Sequence, residues 1–344
     1  MTLAQAASTC LQWVEAEMRG LLEAAEPAVA PHYAMMQYHL GWLDEELRPA
    51  RGSMGKRIRP ILCLLACSAC GGDAERAVPA AAGLELLHNF SLIHDDIEDD
   101  SATRRHRPTV WKLFGLPLAC NAGDGMHSLA HLALHRLTAR GISAPAVLAV
   151  LRCFDETCLA LTEGQYLDMH YESCLTVSED DYFRMIYQKT GALLGAAPQI
   201  GAMIAGADRD TVECFRHYGA ALGRAFQLRD DILGIWGDES ITGKSAASDI
   251  LSMKKSLPVL YAMRDPEVGP ALVSRYAGPP LTAGEIPGVL DLLQAAGARA
   301  KVEAQVETAT EEARGALAAA HVDIASDAVA TLSEILAILS DRNS

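Results

Sequence analysis

The sequence predicts an all-α protein, a single large helical-bundle domain over residues 1–344. Three observations carry that expectation. Apolar residues recur at helical spacing along most of the chain, and alternating β-branched runs are scarce. Ala and Leu, strong helix formers, are abundant, while aromatic residues make up only 6%. Half of the 344 residues are hydrophobic, enough for a large core.

Taken in order, residues 2–25 and 33–48 read as amphipathic helices. A helix over 60–70 opens with Pro60, which suits a first turn, and stops at the Gly71-Gly72-Asp73 break. Further helices are predicted over 76–100, 119–139, 144–172, 179–206, 209–236 and 248–263. The Pro- and Gly-rich stretch 264–286 reads as a linker, and helix returns over 287–340. No repeat of fixed period is visible.

The net charge of −15 argues against non-specific binding to nucleic acid or anionic lipid. No segment approaches the roughly 20 apolar residues of a membrane span. The N-terminus lacks a basic start and carries Glu15 and Glu17, so it does not read as a signal peptide. The nine cysteines then read as reduced thiols, and a cytoplasmic location is expected.

The most informative stretch is HNFSLIHDDIEDDSATRRHRP, residues 88–108. Asp95, Asp96, Glu98, Asp99 and Asp100 crowd the end of a helical run, and Arg104, Arg105 and Arg107 follow. Asp95 and Asp99, four apart, share a helix face, and acids at a helix C-terminus oppose its dipole. A solvated acidic end salted by Arg104 and Arg105 is the plain explanation. The sharper one is Mg²⁺ binding: that ion takes carboxylate oxygens and bridges to substrate phosphates, which arginines then hold directly.

A second cluster, Asp230-Asp231, follows another apolar run, with Gln227 a turn earlier and Lys244, Lys254 and Lys255 after it. In an all-α fold, two such clusters are placed to hold one polyphosphate across a cavity. A third basic stretch, GKRIRP, sets Lys56 and Arg59 before a helix N-terminus, where anions are favoured.

With these residues in hand, the chain resembles the trans-isoprenyl diphosphate synthases, or polyprenyl synthetases. The likeness runs through GKRIRP, LIHDDIED…RR, NAGD, EGQYLD, KTGALLG, FQLRDD and GK…SD…KKSLP, over roughly residues 50–260, in family order. The resemblance implies a bundle around a deep cavity, usually as a homodimer. It implies transfer of an allylic diphosphate onto isopentenyl diphosphate, with Mg²⁺, three ions per active site. Asp95 and Asp99, supported by Asp96, and Asp230, beside Asp231, would be the metal ligands. Arg104, Lys189, Lys244 and Lys254 would hold the allylic diphosphate. Lys56, Arg59, His88 and Arg105 would hold isopentenyl diphosphate. Thr190 and Gln227 would offer oxygen dipoles to the allylic cation, and Gln165 and Asp168 lie in EGQYLD.

The chain departs from the family pattern at Gly234, where an acid is usual, at His106, where Gly is usual, and at Gly125, where Ala is common. In this family a bulky residue below the first Asp floors the product tunnel. Phe90, five positions before Asp95, lies about 7.5 Å below it by helix rise. Ser91 and, deeper, Leu87 are the other chain-length positions. Only two residues separate Asp96 from Asp99, and the combination resembles C20 synthases, with C15 next. Core packing is the plain alternative for Phe90.

Two further patterns read differently. Cys63, Cys67 and Cys70 have an iron–sulfur spacing but lie inside an apolar helix, as buried thiols do. His127, His131 and His135, spaced i, i+4 and i+8, share one helix face and could hold zinc, but no nearby acid completes an obvious site, and packing, an interface or a modified cavity wall is the plainer reading. Two other functions stay open on the same fold. One is a terpene synthase (a lyase) that cyclises or quenches the cation, against which Lys56, Arg59, His88 and Arg105 speak. The other is a non-catalytic partner subunit, against which the intact acids speak.

Overall fold

A computed structural model describes residues 3–50, 52, 55–174, 176–237, 247–323 and 326–340. The fold is all-α. The helices are α1 Leu3–Leu21, α2 Ala30–His39, α3 Ile58–Ala69, α4 Ala74–Glu98, α5 Val110–Phe114, α6 Leu116–His135, α7 Ala144–Glu172 and α8 Glu179–Ile186. Then come α9 Ala192–Ala205, α10 Arg209–Trp236, α11 Ser248–Leu251, α12 Leu257–Met263, α13 Gly269–Tyr276, α14 Ile286–Ala295, α15 Ala298–Ala319 and α16 Asp327–Ser340. Among the described residues no helix is long and apolar enough to cross a membrane.

The chain divides into two compact units, 1–158 with 196–216 and 320–332, and 159–195 with 217–319 and 333–344. In the first, α4 is the central helix, packed against α3 and α6. Its start is capped by Asp73, whose side chain accepts from the Glu75 N–H. Ala77, Ala80, Ala81 and Ala82 are completely buried, and such small side chains let neighbouring helices approach closely. In the second unit one core joins Tyr182, Met185, Leu228, Ile232, Leu257, Leu260, Val302 and Val306, from α8, α10, α12 and α15.

The structure corrects several boundaries. The 33–48 helix stops at His39, because Gly41 takes φ +79 just past its end. The 248–263 helix is two pieces: Met253 is left-handed at φ +55, and Pro258 restarts the chain in the first turn of α12. Residues 264–286 are not a linker, since they hold α13 and bury Leu272, Tyr276 and Leu281 in a core with Val289 and Leu293. The 179–206 helix is interrupted by a π-helical turn, Tyr187–Gly191.

Candidate active site

The first cluster forms where α4 ends. Asp99 caps the helix, Asp100 turns the chain at φ +49, and a short hairpin follows, Thr103–Arg104 paired with Arg107–Pro108. Its two turn residues, Arg105 and His106, both have positive φ, +53 and +63, as a type I′ turn requires. This hairpin, which the sequence did not suggest, folds the arginines back over the acids. Arg104 Nε donates to Asp96 Oδ1 at 2.8 Å. Asp96 is buried, and its Oδ2 has no hydrogen-bond partner among the described residues. Burial pushes its carboxyl up to about 6, against the pull of Arg104. Asp95 is half-buried and Asp99 exposed, so this end of the helix offers both a covered and an open carboxylate.

The basic groups gather on the same unit. The Arg105 guanidinium lies over Gly55, where a Cβ would meet it at 2.8 Å, so the hairpin touches the GKRIRP loop. Arg57 is buried at the start of α3 with φ +45, and its Nη1 lies 3.4 Å from Glu15 Oε2. Arg59 is pulled down to about 10 by burial, and its Nε has no hydrogen-bond partner among the described residues. Lys56 is exposed. Burial, together with Arg59, Arg105 and Arg104, holds His88 well below the ordinary imidazole range. His39, which sequence reasoning missed, is lowered to about 3 by burial and by Arg104 and Arg105. The counter-charge is Glu85, buried, raised by burial and bonded through Oε1 to Asn89 Nδ2 at 3.0 Å. Burial first, and then the surrounding guanidinium charge, hold both imidazoles below their ordinary range, and positive charge so concentrated favours an anion. Tyr38, His39, Asp96, Arg104, Arg105 and Arg107 line one small depression there.

The chain-length positions lie on α4. The Phe90 ring sits 4.8 Å, centroid to centroid, from those of His94 and His127. Ser91 Oγ donates to the His88 carbonyl at 2.9 Å, and Leu87 is completely buried. At Gly125 a Cβ would meet His32 Nε2 at 2.6 Å, so an imidazole takes the space of the alanine methyl.

The second cluster belongs to the other unit. Lys189 and Thr190 sit on the π turn, and such turns recur at functional sites. Gly164 of α7 packs against that turn, where a Cβ would lie 2.3 Å from Lys189 N. Lys189 Nζ pairs with Asp168 Oδ2 at 2.5 Å. Burial raises Asp168, but Lys254 and Lys189 outweigh it and hold the carboxyl below its usual range. Thr190 Oγ1 donates to Gln227 Oε1 at 3.0 Å, and Gln227 Nε2 donates to Asp231 Oδ1 at 3.1 Å. Asp231 Oδ2 accepts from Tyr182 O–H at 2.6 Å and from the Leu257 N–H at 3.0 Å. Asp231 is thus buried with both oxygens engaged, whereas Asp230 is half-buried.

Beside them Gly234 makes room for another acid. A Cβ there would meet Asp249 Oδ2 at 2.3 Å, so the Asp249 carboxyl stands where a side chain at 234 would begin. Only the SD step of the GK…SD…KKSLP run hinted at this residue. The two lysines of KKSLP separate: Lys254 acts electrostatically on Asp168 and Asp231, while Lys255 is buried and donates to the Glu172 carbonyl at the end of α7. Lys244 lies outside the described residues.

The comparisons name the class of this all-α chain with its acid-rich helix ends and clustered arginines. Residues 41–289 match the polyprenyl synthetase family. The (2E,6E)-farnesyl diphosphate synthase of Mycobacterium tuberculosis H37Rv is 38% identical, over 94% of this chain and 89% of its own. The geranylgeranyl diphosphate synthase of the same strain is also 38% identical, over 80% of this chain and 79% of its own. The crystal structure of a polyprenyl synthetase from Streptomyces coelicolor A3(2) superposes with TM-score 0.88 at 32% identity, covering 98% of this chain and 99% of that one. The chain belongs to the polyprenyl synthetase family of prenyltransferases. Its relatives carry both farnesyl and geranylgeranyl names, so membership alone does not set the product length.

Proposed function

We propose that this protein is a cytoplasmic, homodimeric isoprenyl diphosphate synthase, one catalytic domain over 1–344. It elongates a C5–C15 allylic diphosphate with isopentenyl diphosphate, mainly to C20 geranylgeranyl diphosphate, with C15 next. The observation that carries the reading is the guanidinium charge of Arg104 and Arg105, gathered beside the α4 acids and around His39 and His88, two imidazoles that burial first and this charge second hold below their ordinary range. It supports a second diphosphate site, for which a cyclase has no use.

The donor set fits Mg²⁺. It consists of hard oxygens, and the Asp96 Oδ2 has no hydrogen-bond partner among the described residues. Asp95, Asp99 and Asp230 would hold the ions, with Asp96 and Asp231 bracing them. When bound, Mg²⁺ supplies charge stabilisation as diphosphate leaves the allylic carbon. Arg104, Lys189 and Lys254 hold that diphosphate, and Lys244 is assigned with them. Lys56, Arg59, His88 and Arg105 hold isopentenyl diphosphate. The Thr190 hydroxyl gives its proton to Gln227, which leaves the oxygen's lone pairs to act as an acceptor dipole for the developing cation. Gln227 is itself fixed through Asp231. Phe90, backed by the His127 ring and by Leu87, floors the growing chain, with Ser91 beside it. Exposed leucines on α6 and α7, Leu132, Leu148 and Leu159, support a helical dimer face.

The test is incubation with isopentenyl diphosphate, Mg²⁺ and C5, C10 or C15 allylic diphosphate, with extracts taken before and after phosphatase. Prenyl alcohol that appears only after phosphatase, chiefly C20, is the expected product. Chains of C30 or more would sink the Phe90 floor. Hydrocarbon or cyclic alcohol before phosphatase would favour the cyclase, and no product would favour the partner subunit.

A further inference from the structure

The histidine run on α6 follows Asp124, which groups instead with His94 and Cys120, and the fold brings another acid to the run from α7. One donor nitrogen each of His127 and His131 and the Cys158 Sγ all lie within 4.8 Å of one another. Asp155 Oδ1 lies 2.8 Å from His131 Nε2. His135 is exposed and takes no part in this group.

We propose that His127, His131, Asp155 and Cys158 form a binding site for a borderline transition-metal dication, zinc above all. The spacing is helical on both sides: i and i+4 on α6, i and i+3 on α7, so each pair shares a face. Two nitrogens, a sulfur and a carboxylate oxygen make the four-donor set that zinc takes tetrahedrally, and they are unsuited to Mg²⁺.

The orientation of His131 points the same way. Its Nδ1 lies 3.0 Å from the His127 carbonyl, to which it donates. That bond leaves the Nε2 lone pair facing outward, which is how metal-binding histidines are held. Asp155 Oδ1, 2.8 Å from that nitrogen, stands on the same side of the ring. With Zn–N near ~2.0 Å and Zn–S near ~2.3 Å, tetrahedral ligand edges are about 3.3–3.7 Å. The His127, His131 and Cys158 donors, within 4.8 Å of one another, therefore need shifts of about 1 Å, within reach of side-chain rotation on rigid helices, and Asp155, placed through its contact with His131, completes the set by rotating toward them.

Binding an ion at Cys158 as the thiolate releases one proton to solvent. Occupancy would also pin the His127 ring, which sits 4.8 Å from Phe90.

Cobalt(II) is the probe. The full-length protein, stripped with a chelator, is titrated with Co²⁺ and followed by thiolate-to-cobalt charge-transfer and tetrahedral d–d absorption. One equivalent with both bands is expected. Cys158→Ser should lose the charge-transfer band, and His131→Ala and His127→Gln should weaken binding at least about tenfold. Asp99→Asn and Cys120→Ser should keep the full signal, with folding of every variant checked by circular dichroism. Absence of the charge-transfer band in the folded wild-type protein would overturn the proposal. So would a band that survives Cys158→Ser and vanishes in Cys120→Ser, which would move the site to the neighbouring His94, Cys120 and Asp124 group.

Discussion

At the end of α4, Asp99 is exposed and Asp95 half-buried, and only Asp96 is fully covered, held on one side by Arg104. On α10 the second pair is divided differently. Asp230 is half-buried, while Asp231 is sealed beneath Tyr182, Leu257 and Gln227, with both oxygens bonded. Each cluster therefore contains one buried aspartate that fastens the local structure and at least one aspartate that reaches the surface. The buried members differ in their partners. Asp96 is braced by a cation brought by a hairpin, Asp231 by neutral donors that also orient Gln227. An acid held by neutral donors inside a core works as scaffold, and an acid beside guanidinium groups is the one the proposed function assigns to a metal–diphosphate.

Substitutions can break or sharpen this contrast. The largest effect is expected at the accessible acids. Asp95→Asn and Asp99→Asn should each lower kcat by about 10²- to 10³-fold or more. Chemical unfolding of the same variants should shift by no more than about 0.5 kcal/mol for the exposed Asp99. Asp231→Asn should behave oppositely in stability. An amide offers one acceptor where the carboxylate serves three donors, so urea unfolding should show a loss of about 2–4 kcal/mol. Gly234→Asp drives a side chain into the Asp249 carboxyl and should destabilise by about 1–3 kcal/mol. The Gly234→Asp/Asp249→Gly pair should recover part of that loss, a non-additivity that a double-mutant cycle reads directly. The smallest effect is at the hairpin: His106→Gly relieves a left-handed residue and should stabilise by about 0.5–1 kcal/mol in thermal unfolding.

Much of the fold was legible because helical periodicity is a local signal. The 144–172 and 209–236 helices fall where the pattern puts them. The signal failed where chain direction depends on one backbone angle, as at Gly41 and Met253, and where short helices alternate with prolines, as over 264–286. At the candidate site, the acids, Arg104, Arg105, Lys189, Thr190 and Gln227 could be picked out by motif. His39, Glu85, Tyr182 and Asp249 could not, because each acts through a neighbour distant in sequence. The departures from the family pattern show the same limit. Gly125 and Gly234 look like losses in the sequence, yet His32 and Asp249 occupy the vacated space. His106 keeps the turn that glycine would make.

The contrast between accessible and buried aspartates is tested most directly by counting bound ions. Mn²⁺ in place of Mg²⁺, with a non-reactive allylic diphosphate analogue, can be titrated by electron paramagnetic resonance in the wild-type, Asp95→Asn, Asp230→Asn and Asp231→Asn proteins. The account predicts that Asp95→Asn and Asp230→Asn each lose at least one tightly bound ion, while folded Asp231→Asn keeps the wild-type number. Loss of an ion in Asp231→Asn with none lost in Asp230→Asn would contradict it.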